Sequence, residues 1–80
     1  MAGLSRAETT EFISAHMRAV GGELEVFAEE AIDLIFQQSK GIPREICNLC
    51  MYSLIRASWQ ETKRVERRIV EEVLRAQSAQ

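Results

Sequence analysis

The sequence lacks the features that mark membrane and secreted proteins. The 80-residue chain has no apolar run approaching the roughly 18 residues that a membrane-spanning helix needs. No charged segment leads into an apolar one at its start, so we expect neither an export signal nor membrane insertion by this segment. Its two cysteines, Cys47 and Cys50, are too few and too close together to form the disulfide framework of a small secreted domain. These absences predict a reducing, cytoplasmic location.

Motifs for catalysis are also scarce. There is no Gly-rich loop with lysine for nucleotide phosphates, and His16 is the only histidine that could serve a nucleophile as base. We expect His16 to be a structural residue on the first helix. A zinc ion needs four ligands, and His16 is the only soft ligand available to join the two cysteines, so a metal site would require a second chain. We therefore predict neither enzyme activity nor a metal site for this chain.

Cys47 and Cys50 form a Cys-x-x-Cys pair near the start of a predicted helix, where the helix N-terminus can stabilise a thiolate. The strand-helix-strand context that accompanies thioredoxin-like motifs is absent from the sequence. We expect both cysteines to act as small buried apolar residues. A thiol redox or metal module remains an alternative.

The composition predicts one folded domain. With 46% apolar and 28% charged residues, a single proline and four glycines, the chain is neither disordered nor of low complexity. Its length allows one core, which we place in residues 4–77, with residues 1–3 and 78–80 expected to be disordered. Apolar residues follow the 3.6-residue period throughout, which predicts an all-α, four-helix bundle-like fold.

Residues that favour the starts and ends of helices predict the first two helices. Ser5 and Glu8 form a capping box before a helix over residues 6–20, and Gly21-Gly22 end it. A second helix is predicted over residues 28–39, ending at Gly41. The acidic residues on its outer face complement the helix dipole. The expected apolar residues are Leu4, Phe12, Ile13, Met17 and Val20 in the first helix, and Phe27, Ala31, Ile32, Ile35 and Phe36 in the second.

The second half of the chain predicts two more helices. Pro43 suits the first position of a helix over residues 43–60, and a fourth helix is predicted over residues 66–77. The third helix has a predicted buried seam flanked by Tyr52, Ile55 and Trp59, and we expect both Tyr52 and Trp59 to pack rather than to stack on bases. The seam consists of Ile46, Leu49, Cys50, Leu54 and Ala57, and the inward residues of the fourth helix are Ile69, Val70, Val73 and Leu74.

Charge is unevenly distributed along the chain. The net charge is -2, with an acidic first half and a mildly basic second half, and this overall balance argues against nucleic-acid binding driven by total charge. A basic cluster precedes and begins the fourth helix, where it could contact phosphate or a partner, although interleaved glutamates are typical of a solvated face. The basic cluster consists of Lys63, Arg64, Arg67 and Arg68.

The most specific local pattern is Gly41-Ile42-Pro43-Arg44. It places a helix stop, a helix-starting proline and then a guanidinium at a helix N-terminus, where open backbone N–H groups favour an anion. Because the helix dipole slightly disfavours a cation in this first turn, Arg44 at this position suggests an anionic partner. The planar guanidinium suits phosphate, so the pattern favours a nucleotide.

These residues resemble a known family. Gly41-x-Pro43-Arg44, followed by Ile46 and Asn48-Leu49-Cys50, resembles the second-sensor helix of AAA+ ATPases, in particular the ExeA/GspA-like group of general secretion and transposition proteins. The opening segment from Leu4 to Ile35 is similar to the first helices of that group's C-terminal lid. The segment 65–73 is similar to its closing helix, so the resemblance covers roughly residues 4–75.

The resemblance implies that the chain is the helical lid subdomain of a larger ATPase. The complete protein would bind ATP and magnesium through a P-loop core upstream in the same chain and would contact neighbouring AAA+ subunits. Arg44 would contact the terminal phosphates, with Gly41, Ile42 and Pro43 beside the nucleotide, and would couple hydrolysis to conformational change. The lid alone would hold no cofactor and would not be an enzyme, and the basic fourth helix could contact DNA. A stand-alone helical protein- or DNA-binding module is the alternative.

Overall fold

Four helices make up the part of the chain that the structure describes. The computed structural model describes residues 3–19, 21 and 26–78, and the predicted all-α class is confirmed. Within these residues no strand forms beyond an isolated parallel bridge between Phe27 and Val65. None of the described helices is long and apolar enough to cross a membrane. The helices are α1 (Arg6–Ala19), α2 (Glu29–Ser39), α3 (Pro43–Trp59) and α4 (Arg67–Ser78).

The start of α1 follows the predicted capping box. The Glu8 backbone N–H donates to Ser5 Oγ at 3.1 Å, and the Ser5 N–H donates to Glu8 Oε1 at 2.9 Å. Each residue therefore satisfies a backbone donor of the other. Gly21 adopts a φ of 81° after the helix, as a left-handed stop requires. The predicted Val20 and Gly22 lie outside the described residues.

The second helix begins one residue later than predicted. Ala28 is its N-cap, because the backbone on either side of Phe27 pairs with Val65 instead of entering the helix. The Ala28 N–H donates to the Val65 carbonyl at 2.9 Å, and the Val65 N–H donates to the Val26 carbonyl at 2.6 Å. This short pairing ties the segment before α2 to the segment before α4, which itself begins at Arg67 rather than at residue 66.

The turn from α2 to α3 uses two left-handed residues. α2 ends at Ser39 as predicted, and both its C-cap Lys40, with a φ of 55°, and the predicted stop Gly41, with a φ of 76°, are left-handed. Pro43 occupies the first turn of α3 as predicted. The helix ends at Trp59, one residue before the predicted end, and Glu61 follows with a φ of 54°.

The core lies between α3 and the other three helices. α3 packs against α1, α2 and α4, α2 packs against α1 and α4, and the described parts of α1 and α4 do not pack against each other. Most of the predicted core residues that the structure describes are buried, but five are only half-buried: Leu4, Phe12, Phe36, Leu54 and Leu74. Thr9 and Leu34 are buried although the periodicity did not select them. The fully buried large side chains include Ile13, Ile35, Ile46, Val65, Ile69 and Val70.

Two aromatic predictions were wrong. Tyr52 is 51% exposed and Trp59 is 75% exposed, whereas both were expected to pack. Ile55, between them on the same side of α3, is 42% exposed. The reason is that α3 packs against the other helices through a different side, which carries the buried Ser53 and Ala57, and leaves the aromatic side exposed.

Candidate functional site

The predicted site begins at a tightly held turn. The Leu4 N–H donates to the Gly41 carbonyl at 2.7 Å, and the Gly41 N–H donates to Ser39 Oγ at 3.2 Å. A Cβ atom at Gly41 would lie only 2.2 Å from the Leu4 carbonyl oxygen. The positive φ and this close approach explain the glycine structurally, because no other residue fits both. A direct contact of Gly41 with nucleotide stays a prediction.

The first turn of α3 presents open backbone donors. Its N-cap, Ile42, is extended and supplies no side-chain cap, and the Ile46 N–H makes the first helical hydrogen bond, to the Ile42 carbonyl at 3.0 Å. Pro43 has no N–H to satisfy. The N–H groups of Arg44 and Glu45 therefore lack a backbone acceptor in the described part of the chain. Such uncapped donors at a helix N-terminus attract anions.

Arg44 is exposed beside these donors. Its guanidinium makes no ion pair with any described residue, so its charge is available to a ligand. Ile42 is 46% exposed and Pro43 is half-buried, so an apolar surface adjoins the cation. The exposed carboxylate of Glu45 in the same turn reduces the net positive charge. The turn can thus contact a small anion at Arg44 and an apolar group at Ile42.

The basic cluster is partly neutralised. Arg67 Nε lies 3.2 Å from Glu71 Oε2, as the spacing of four residues predicts. Arg68 pairs with Glu66 at 3.8 Å and with Glu72 at 3.5 Å. Only Lys63 and Arg64 are exposed without an ion pair to a described residue. The cluster is therefore a weaker phosphate site than its four cations indicate.

A polar network joins the end of α3 to α4. Gln60 Nε2 donates to Glu72 Oε1 at 2.5 Å, and Arg56 and Arg68 each approach Glu72 at 3.5 Å. The Gln60 hydrogen bond lowers the pKa of the Glu72 carboxyl most, and Arg68 and Arg56 lower this pKa further against the opposing effect of desolvation. In this network the basic side chains of Arg56 and Arg68 are directed toward the Glu72 carboxylate of the same chain.

Cys50 lies in surroundings unsuited to thiolate chemistry. Burial, with a smaller contribution from the neighbouring Cys47, raises the pKa of the Cys50 thiol to about 12. A thiol with this pKa is protonated at neutral pH, and the thiolate is the reactive form. Cys50 is buried and Cys47 is half-buried, so at Cys50 the predicted structural role is confirmed by burial.

Within residues 3–19, 21 and 26–78, no three His, Cys, Asp or Glu side chains come together as a possible metal site. His16 is half-buried on α1. The acidic residues at the start of α2 have a role that the helix dipole did not reveal: Arg6 reaches across from α1 and pairs with Glu29 at 3.1 Å and with Asp33 at 2.5 Å. These carboxylates hold two helices together.

An apolar groove between α3 and α4 was missed by the sequence reasoning. Tyr52, Ile55 and Trp59 form one wall, and Val73 and Ala76 of α4 contribute to the other, around a volume of about 430 Å³. The signal was present, since positions 52, 55 and 59 follow the i, i+3, i+7 spacing of a second apolar stripe. They were interpreted as flanks of the buried seam because periodicity does not show what covers a stripe.

No family model, curated protein or solved structure matches the chain.

Proposed function

We propose that this chain is the helical lid of a nucleotide-hydrolysing AAA+ protein, in which Arg44 contacts the phosphates of bound ATP. The observation that supports this most is the exposed Arg44 guanidinium beside two backbone N–H groups at an uncapped helix start, all without a partner among the described residues. The Gly41-x-Pro43-Arg44 pattern on which the resemblance depends is the same turn.

Arg44 would act through its positive charge and through the fixed direction of its hydrogen-bond donors. A guanidinium and a phosphate form charge-assisted hydrogen bonds, and preorganised donors stabilise charge that develops during phosphoryl transfer. Ile42 would lie against the apolar part of the nucleotide. In the complete protein, ATP with its magnesium ion would supply the transferred phosphoryl group, and the upstream P-loop core would hold them. The chain alone would not hydrolyse ATP.

The packing of α3 supports a coupling role for the turn. Hydrogen bonds from Leu4 to Gly41 and from Gly41 to Ser39 fix the turn to the rest of the fold. α3 itself packs against all three other helices. A force on Arg44 from a terminal phosphate would therefore move the four helices together rather than one loop. Loss of that phosphate would release the lid, which is the rigid-body movement that such switches use.

The same proposal implies a location, an assembly and a cellular process for the complete protein. The complete protein would be cytoplasmic, would assemble with neighbouring AAA+ subunits, and would drive general secretion or transposition. DNA contact, if it occurs in a transposition protein, would use Lys63 and Arg64, because Arg67 and Arg68 already pair with glutamates. Binding of the chain to duplex DNA at low salt that falls steeply as salt rises would support this contact, and no binding at low salt would remove it.

The proposal is tested first on the chain itself by titrating ¹⁵N-labelled protein with magnesium-ATP and recording amide shifts. We expect shifts centred on Arg44 and Glu45 with an affinity of roughly millimolar or weaker, because one charge-assisted contact contributes only about 1.5–3 kcal/mol. Arg44→Ala should remove the shifts. Arg18→Ala, which deletes an exposed arginine on α1, is the matched control and should leave them unchanged.

The decisive test uses the complete ATPase. Arg44→Ala should lower kcat for ATP hydrolysis about 100-fold to 1000-fold, the range seen when one stabilising donor is lost, while the circular dichroism melt stays unchanged. Arg44→Lys should recover only part of the activity because lysine lacks the planar fork. Normal hydrolysis by a folded Arg44→Ala protein would contradict the role given to Arg44.

A further inference from the structure

We propose that the buried hydroxyl of Ser39 is a positioning group for the nucleotide contact at Arg44. The inference rests on the proposed function, because it takes Arg44 as the residue that contacts the phosphates of ATP. Ser39 would touch no ligand itself. It would hold the turn through which the chain leaves α2 and enters α3, so that the Arg44 guanidinium and the N–H groups beside it are in place before ATP binds.

Ser39 is a polar residue that is almost completely buried, with 1% of its surface exposed. Its hydroxyl accepts from the Gly41 N–H at 3.2 Å and donates to the Phe36 carbonyl at 3.3 Å. The Ser39 backbone carbonyl accepts from the Ile42 N–H at 3.0 Å. Ser39 therefore binds two consecutive N–H groups of the turn, one with its side chain and one with its backbone.

The turn needs this support because its backbone is strained. Lys40 has a φ of 55°, which is costly for a residue other than glycine, and the left-handed Gly41 follows it. Such conformations persist only where the surrounding contacts fix them. A second support is the Leu4 N–H, which donates to the Gly41 carbonyl at 2.7 Å. Without the Ser39 hydroxyl the buried Gly41 N–H would lose its acceptor, which favours opening of the turn.

The position of Arg44 depends on this turn. Two residues separate Gly41 from Arg44, and the hydrogen bonds of Gly41 and Ile42 to Ser39 join the start of α3 to the end of α2. Donors that are already in place bind an anion more tightly than donors that must be ordered during binding. Loss of the Ser39 hydroxyl should therefore weaken ATP binding although Arg44 itself is unchanged.

The chain offers a matched control in Ser53. Ser53 is also in a helix and is 0% exposed, but its Oγ has no hydrogen-bond partner among the described residues. Ser39→Ala and Ser53→Ala each remove one buried hydroxyl, and only the first removes a bond to the turn. A difference in ATP binding between the two variants therefore measures the contribution of that bond.

The test titrates the ¹⁵N-labelled chain and both variants with magnesium-ATP and follows the amide shifts of Arg44 and Glu45. We expect Ser39→Ala to weaken ATP binding about threefold to tenfold, as the loss of one hydrogen bond of ordinary strength predicts. Ser53→Ala should bind within about twofold of the unchanged chain. A purely structural role for Ser39 would lower the stability of Ser39→Ala, measured by urea unfolding, and leave the ATP affinity of the folded chain unchanged.

Amide hydrogen exchange without ATP tests the physical step directly. The Gly41 amide should exchange faster in Ser39→Ala than in the unchanged chain, and at the unchanged rate in Ser53→Ala. Ser39→Cys nearly keeps the shape of serine but offers only a weak acceptor. It should also weaken ATP binding, and it takes the place of Ser39→Ala if the circular dichroism melt shows that Ser39→Ala has lost its fold.

Three results would overturn the inference. The first is ATP binding by folded Ser39→Ala that equals binding by the unchanged chain. The second is equal weakening in Ser39→Ala and Ser53→Ala, since the effect would then come from core packing. Both of these results leave the proposed role of Arg44 intact. The third is the absence of ATP-dependent shifts at Arg44 in the unchanged chain, which would remove the proposed function together with this inference.

Discussion

The two ends of α3 expose opposite kinds of side chain. At its start, residues 41–46, the backbone is fixed by hydrogen bonds and close approach, and the apolar Ile46 is fully buried. The exposed cation Arg44 makes no ion pair with any described residue. At its end, residues 52–59, the basic Arg56 pairs with Glu72, while the apolar Tyr52, Ile55 and Trp59 are exposed. One end thus leaves charge uncovered and the other leaves apolar surface uncovered.

The difference shows which kind of ligand each end fits. A rigid turn with open N–H groups and one guanidinium can hold a small anion without reorganising. An open apolar stripe contributes binding energy only when a larger apolar partner removes it from water. The same helix therefore presents a small-ligand surface at its start and a protein-sized surface at its end. The predictions below separate the two ends by stability, from the largest effect to the smallest.

The largest effect is expected from truncating isoleucine at each end. Ile46→Ala should lower the free energy of unfolding by about 3 kcal/mol, because Ile46 is fully buried and leaves a cavity. Ile55→Ala should cost less than about 1 kcal/mol, because Ile55 is 42% exposed. Urea unfolding followed by circular dichroism measures both. Equal losses would mean that the end of α3 is as closely packed as its start.

A pair of glycines tests how firmly the start of α3 is held. Gly41→Ala should cost roughly 2–3 kcal/mol, because the new Cβ would meet Leu4 backbone atoms at 2.2 and 2.6 Å in addition to the strain of a positive φ. Gly21→Ala has a similar φ of 81°, but no atom of the described residues lies within 4 Å of the new Cβ. It should cost only about 1 kcal/mol. The same urea experiment gives the loss in free energy of unfolding for each variant, and the difference between the two losses measures the contact with Leu4. Two equal losses would show that the Leu4 backbone can move away from the new Cβ at little cost.

The smallest effect concerns the network at the end of α3. Because the folded pKa of Glu72 is lowered from 4.5, its contribution to stability is present above that value and is lost as the pH falls through the folded pKa. Glu72→Gln should therefore lose less stability than the unchanged chain between about pH 7 and about pH 3. Thermal melts at both pH values measure this. If Glu72→Gln lost more stability at low pH than the unchanged chain, the folded protein would not stabilise the ionised Glu72 carboxylate.

Much of the fold follows from local signals in the sequence. The capping box of Ser5 and Glu8, the left-handed Gly21 and the helix-starting Pro43 each act within a few residues, so the sequence shows them directly. The α2 start was displaced by a long-range backbone pairing with Val65, which no local pattern contains.

The candidate site was only partly predictable for a similar reason. Arg44 is exposed as expected because it follows a helix-starting proline on the side away from Ile46. The exposure of Tyr52 and Trp59 depends on where α4 lies across α3, and the pairing of Arg67 and Arg68 depends on the geometry between their glutamates. The helical period places a side chain on a stripe but does not show which stripe a neighbouring helix covers.

The most direct test of the central claim is the intact mass of the natural protein that carries these residues, with peptide mapping of any sequence before Met1. The lid proposal predicts a chain several times heavier than 9.1 kDa, with a Gly-x-x-x-x-Gly-Lys-Ser/Thr segment upstream. A natural protein of about 9.1 kDa that begins at Met1 would contradict the lid proposal, and the groove between α3 and α4 would become the leading functional surface.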